Sequence, residues 1–148
     1  MPEPLYLEDL TVGRRFESGS HPLTAEAIKA FAAEFDPQPF HLDEEAAAAS
    51  FFGGLAASGW HVACFTMRLL VTETLPIAGG LIGAGVEIDW PRPTRPGEVL
   101  RVVAEVVEIR PSRSKPDRGI ALVRSETINA RGEPAMIMTS KMLVFRRP

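Results

Sequence analysis

Cysteine is almost missing from this sequence: Cys64 stands alone among 148 residues. An internal disulfide framework is therefore excluded, and the chain fits a reducing compartment. Excess positive charge is missing too. The 16 Lys and Arg are outnumbered by 19 Asp and Glu, a net charge of -3 at pH 7, so there is no basic footprint for nucleic acid. No apolar run approaches the roughly 20 residues that a bilayer-spanning helix needs; the most apolar stretch, Val62 to Val71, is far shorter and contains Arg68. The opening Met1-Pro2-Glu3-Pro4-Leu5-Tyr6 has neither the basic nor the apolar segment of a signal peptide. The histidines at 21, 41 and 61 are scattered without ligand spacing, so no metal is expected. What remains is the composition of a soluble globular protein, 45% apolar and 24% charged. Its length suits one domain over residues 1–148, expected in the cytoplasm.

Read in order, the chain opens with a turn at Thr11-Val12-Gly13 feeding a short strand that ends near His21-Pro22. Thr24 is placed to cap a helix with Glu26 in its first turn. Ile28, Phe31, Ala32 and Phe35 follow the i, i+3, i+4, i+7 spacing of one buried helical face. Pro37 ends this helix and leaves Asp36 outside it. The segment Asp36-Pro37-Gln38-Pro39-Phe40-His41 has two fixed φ angles and two missing donors. Fully extended it would hold Asp36 and His41 roughly 15 Å apart, so the two act together only if the chain folds back, as an Asp-Pro turn permits. Asp43 is placed to cap a second helix running into Ala46 to Ala49.

After Gly53-Gly54 a long helix is expected from Gly59 to Leu75. Trp60, Ala63, Cys64, Met67, Leu70 and Val71 form its apolar stripe, and Val62, Phe65 and Leu69 extend the apolar surface to other faces. A helix this apolar nearly all round requires burial, most simply by a sheet wrapped about it. From Leu81 the period changes to two. Ile82, Ala84, Val86, Ile88 and Trp90 share one strand face, and Leu100, Val102, Ala104 and Val106 share a face of the next. Pro96-Gly97 has the chemistry of a type II turn. Residues 110–118 read as a solvated loop, and two further strands run over 120–129 and 136–145. The expected class is α+β, an antiparallel sheet rolled around a central helix, with the Asp36/His41 segment on a helical insert.

These residues resemble a known family. Asp36-Pro37-Gln38-Pro39-Phe40-His41 is similar to the Asp-x-Asn-Pro-(aliphatic)-His signature of MaoC-like dehydratases and (R)-specific enoyl-CoA hydratases, which have the hot-dog fold. Phe52-Gly53-Gly54 followed by Ser58-Gly59 resembles that family's Phe-Gly-Gly…His-Gly lead into the central helix, and Pro93-Thr94-Arg95-Pro96-Gly97-Glu98 its Pro-x-x-Pro-Gly-Asp turn. The resemblance implies reversible syn addition of water to a trans-2-enoyl thioester of coenzyme A. Asp36 and His41 would be the catalytic pair, and Gly59 (through its N–H) and Ser58 the substrate contacts. It implies no metal and no separate cofactor, an acyl-CoA substrate as small-molecule partner, and a homodimer or higher homo-oligomer.

Several residues depart from that pattern. Gln38 stands for Asn, Phe40 for an aliphatic residue, Ser58 for His and Trp60 for a smaller side chain, so short or unusual acyl groups are favoured. Two other functions compete. A hot-dog thioesterase usually carries a carboxylate on or beside the central helix, and that helix has none here before Glu73 at its far end. A non-catalytic acyl-CoA-binding or assembly subunit would have no use for an intact Asp/His pair. Arg92, Arg95 and the 113–115 cluster are candidates for coenzyme A phosphates. A His61/Cys64 nucleophilic pair is weighed and set below a buried, inert cysteine.

Overall fold

Apolar residues alternating along four strand segments close one antiparallel sheet in the computed structural model, which describes residues 2–148. The elements are β1 (Arg15–Glu17), β2 (His21–Pro22), α1 (Ala25–Phe35), α2 (Pro39–Leu42), α3 (Glu44–Ala48), α4 (Gly59–Leu69), β3 (Ile82–Asp89), β4 (Val99–Pro111), β5 (Arg118–Ile128) and β6 (Pro134–Phe145). Strand order is β1-β4-β5-β6-β3, with β2 also pairing β4. Leu100, Val102, Ala104 and Val106 lie on the inner face of β4, all fully buried as their spacing predicts. Ala121, Val123, Met136, Met138, Met142 and Val144 continue that face across β5 and β6. Val62, Phe65 and Leu69 of α4 join the same core. The Thr66 hydroxyl bonds Thr127 across the helix–sheet contact. This is the hot-dog arrangement, a sheet curled around one helix.

The helix boundaries follow the sequence signals. The Thr24 and Asp43 side chains accept from the Ala27 and Ala46 amides, at 3.1 Å and 2.9 Å, each such cap being worth about 1 kcal/mol. At Pro96-Gly97 the Glu98 N–H reaches the Arg95 carbonyl at 3.2 Å and Gly97 has φ +81°, the positive value a type II turn demands.

Several expectations are corrected. The buried face of α4 is Val62, Phe65, Thr66 and Leu69, whereas Trp60, Cys64, Met67 and Val71 face outward. One side of the helix fills the curl of the sheet, and on the other Trp60, Cys64, Met67 and Val71 are left exposed. Cys64 is accordingly exposed instead of buried. Phe35, at the last turn of α1, is 67% exposed. Helix α4 does not run regularly to Leu75: Leu70–Thr74 widens into a π turn in which the Leu75 N–H bonds Leu70 O at 2.8 Å. Strand β3 bulges between Gly83 and Gly85, which breaks its strict alternation, and all of it but Ile88 is exposed. The expected first strand is split into β1 and β2, and β4 extends to Pro111, shortening the loop that follows.

Candidate active site

Asp36 is brought back towards His41 by two tight turns. Its own N–H closes the last turn of α1 on Ala32 O at 2.9 Å, and the Gln38 N–H bonds Asp36 O at 2.7 Å. That second bond makes a three-residue turn about Pro37. Pro39 then opens α2 at its first position, where its missing N–H costs nothing. The anticipated fold-back therefore occurs, and Asp36 Oδ2 lies 3.3 Å from His41 Nε2.

His41 is 5% exposed, and its ring is fixed from behind. Its Nδ1 lies 2.6 Å from Ala56 O. A carbonyl only accepts, so Nδ1 carries a proton and Nε2 is the nitrogen left to face Asp36. The Ala56 N–H returns a bond to Phe40 O at 3.2 Å. Arg95 holds the loop that supplies Ala56, its guanidinium donating to the carbonyls of Phe52, Gly54 and Leu55.

Asp36 is held as a carboxylate. Burial raises its pKa, but the Ser58 hydroxyl, the Gln38 amide and the charge of a protonated His41 together outweigh that and hold it below the usual aspartate range. Gln38 Nε2 donates to Asp36 Oδ1 at 2.6 Å. When the imidazole is neutral, Oδ2 and Nε2 are two acceptors side by side, a site that a water molecule satisfies by donating one O–H to each.

Gly59 is the first residue of α4, and its N–H has no acceptor among the described residues. A free amide at a helix start suits an oxyanion. Asp36, His41 and Gly59 line one cleft of about 590 Å³, whose walls include Phe40, Phe52, Trp60, Trp90 and Thr94. Ser58 is fully buried. Its hydroxyl accepts from the Trp60 N–H at 3.2 Å and supports Asp36, so it stands behind the cleft wall and not on it. His61 stacks on Phe31 with ring centres 4.7 Å apart; burial, then Arg68, pushes its pKa down. No group of three or more potential metal-ligating residues is found among the described residues.

Residues 9–127 match the sequence profile of the MaoC-like domain. The chain belongs to the MaoC-like domain family. It is 33% identical over 126 residues to the uncharacterized protein YdeM of Bacillus subtilis, covering 83% of this chain and 86% of that one. A MaoC-like dehydratase from Rhodospirillum rubrum superposes with a TM-score of 0.96 at 63% identity, over 97% of this chain and 99% of that one. The R-hydratase PhaJ1 from Pseudomonas aeruginosa gives 0.77 at 25% identity, over 97% and 88%.

Within this MaoC-like domain, three contributors escape sequence reasoning. The Ala56 carbonyl orients His41 but has no side-chain signal. Arg95, read as a candidate phosphate contact, is committed to loop carbonyls. Trp90, read only as a strand-face residue, donates its indole N–H to Gly59 O at 3.0 Å.

Proposed function

We propose that this MaoC-like domain is a hydro-lyase that adds water to, or removes it from, the C2–C3 double bond of an enoyl-CoA thioester. The observation that carries this reading is that Asp36 Oδ2 and His41 Nε2 stand 3.3 Å apart in the same cleft as the free Gly59 N–H, with the imidazole held from behind through Nδ1. One water held by both would lose a proton to the pair as its oxygen attacks C3. The thioester oxygen gains negative charge as an enolate forms, and the Gly59 N–H stabilises it; one such donor is worth about 3–4 kcal/mol of barrier. The pair then returns a proton to C2, so the atoms of one water are added and no electrons are exchanged. Imidazole suits both halves because it takes and gives protons near neutral pH.

Coenzyme A enters as part of the substrate, with no separate cofactor and no metal in this scheme. The compartment we propose is the cytoplasm; no described helix is long and apolar enough to cross a membrane. Ser58 is better read as a support of Asp36 than as a substrate contact. The thioesterase reading finds little support, because Glu73 pairs with His21 at 2.6 Å and accepts from the Gly19 N–H, away from the cleft.

The same reading includes a homodimer. The outer face of α4 is apolar, β3 has an unpaired edge, and the Trp60–Trp90 contact of 5.5 Å puts the helix start beside the end of that strand. A two-fold copy covers both at once, which light scattering tests. The activity is tested by mixing the protein with crotonyl-CoA while following enoyl absorbance and free thiol together. Hydration removes the absorbance without releasing thiol. Thiol release, or binding without turnover, overturns the proposal.

A further inference from the structure

Trp90 follows the last residue of β3, 31 positions from the start of α4, yet it meets Gly59 in two ways. Its indole Nε1–H donates to Gly59 O at 3.0 Å. Its ring also lies so close to the Gly59 α-carbon that a Cβ there would stand 2.6 Å from Cε2 and 2.9 Å from both Nε1 and Cζ2. Real contacts are never that short, so residue 59 is glycine because this ring occupies the space. Trp60 meets Trp90 edge-on with ring centres 5.5 Å apart, which limits how the indole can move. All three residues line the cleft that holds Asp36 and His41.

We infer that Trp90 is a positioning residue for the helix-start amide: it ties the Gly59 carbonyl to the end of β3 and packs its ring on the Gly59 α-carbon, and so restricts where the Gly59 N–H, one peptide earlier, points. The inference rests on the hydro-lyase reading for its catalytic consequence, but the contact itself does not. The first turn of a helix is its least constrained part, because its amides lack intrahelical partners. An oxyanion donor works through preorganisation, so a donor free to swing is worth less in the transition state than a fixed one. Anchoring the carbonyl on one side of the Gly59 α-carbon, with the ring packed on that carbon, limits the rotation that would swing the N–H on its other side. The effect falls on kcat and not on substrate binding, since the ground-state thioester oxygen carries little charge.

The test combines a double-mutant cycle with kinetics. Gly59→Ala is expected to lower the melting temperature in the native background and to do so far less in Trp90→Ala, because the obstructing ring is gone. Equal losses in both backgrounds overturn the contact. Trp90→Phe keeps a ring but loses the donor. With crotonyl-CoA it is expected to lower kcat about tenfold, a fraction of the cost of losing an oxyanion donor outright, with KM within about twofold and melting temperature little changed. A kcat near the native value, or a loss confined to KM, overturns the positioning role. If the native protein hydrates no enoyl-CoA while the melting cycle still shows coupling, the hydro-lyase reading fails, the catalytic role falls with it, and the Trp90–Gly59 contact stands.

Discussion

Replacing Asp36 by Asn isolates the charge from the shape. The amide keeps the volume and still offers an oxygen to Gln38, which now bonds Oδ1 at 2.6 Å. The other position, 3.3 Å from His41 Nε2, becomes an NH2 group. That group donates to Nε2 of the neutral imidazole from which the reaction starts, so one substitution removes the carboxylate and also occupies the second acceptor. Losing a positioned general base costs about 100- to 10,000-fold, or about 3–5 kcal/mol of barrier. Because both acceptors are lost, kcat is expected to fall in the upper part of that range, with residual rate from the Gly59 N–H. The fold should hold at neutral pH, with melting temperature within about 4 °C of native. The acid side should differ. A carboxylate whose folded pKa is lowered contributes stability above its unfolded pKa, and that stability is lost as pH falls through the folded value. The Asp36→Asn protein lacks this contribution, so it should lose less stability on acidification. The assay is the initial rate of enoyl absorbance loss, with parallel thermal melts carried from neutral pH down past the usual aspartate range, where the contribution is lost. A variant that keeps more than about a tenth of native kcat would refute the reasoning.

His41→Ala should abolish turnover and also destabilise by about 1–3 kcal/mol, because the buried Ala56 carbonyl loses its donor; urea unfolding reads the second effect. Gln38→Leu removes a donor that lowers the Asp36 pKa, so activity, which needs the carboxylate, should be lost at higher pH than in the native protein. A pH profile of kcat/KM checks the direction. Arg95→Leu should cost about 2–3 kcal/mol and speed proteolysis near residues 50–56, since it frees the carbonyls that a charged donor now holds. Met67→Glu, on the outer face of α4, should turn a dimer into a monomer in light scattering.

The sheet is legible in the sequence because most of its strands announce a two-residue period and its inner residues are mainly apolar, with Ser125, Thr127 and Ser140 the buried polar members. The helix caps and the Pro96-Gly97 turn are legible because each rests on local chemistry. The central helix is not, beyond its existence. Apolar side chains on nearly every face say that the helix is covered, but not whether a sheet or a second copy covers each side. Hence the sequence pattern puts Trp60, Cys64 and Met67 in the wrong surroundings. At the site, Asp36 and His41 can be named from spacing because two prolines between an acid and a base demand a reason. Ser58 can be named but not given its position, since a hydroxyl behind a wall and one on it look alike in sequence. The Ala56 carbonyl and the Trp90 indole are invisible, being joined to the site only through contacts across 15 and 31 residues.

The central claim is that one water and one thioester oxygen are held at the same time, the first by Asp36 and His41 and the second by the Gly59 amide. A crystal structure of the Asp36→Asn protein soaked with crotonyl-CoA addresses it directly. The account predicts the thioester oxygen about 2.7–3.1 Å from the Gly59 nitrogen, with C3 facing the gap between residue 36 and His41. A thioester bound elsewhere in the cleft, or one whose C3 points away from that gap, would contradict it.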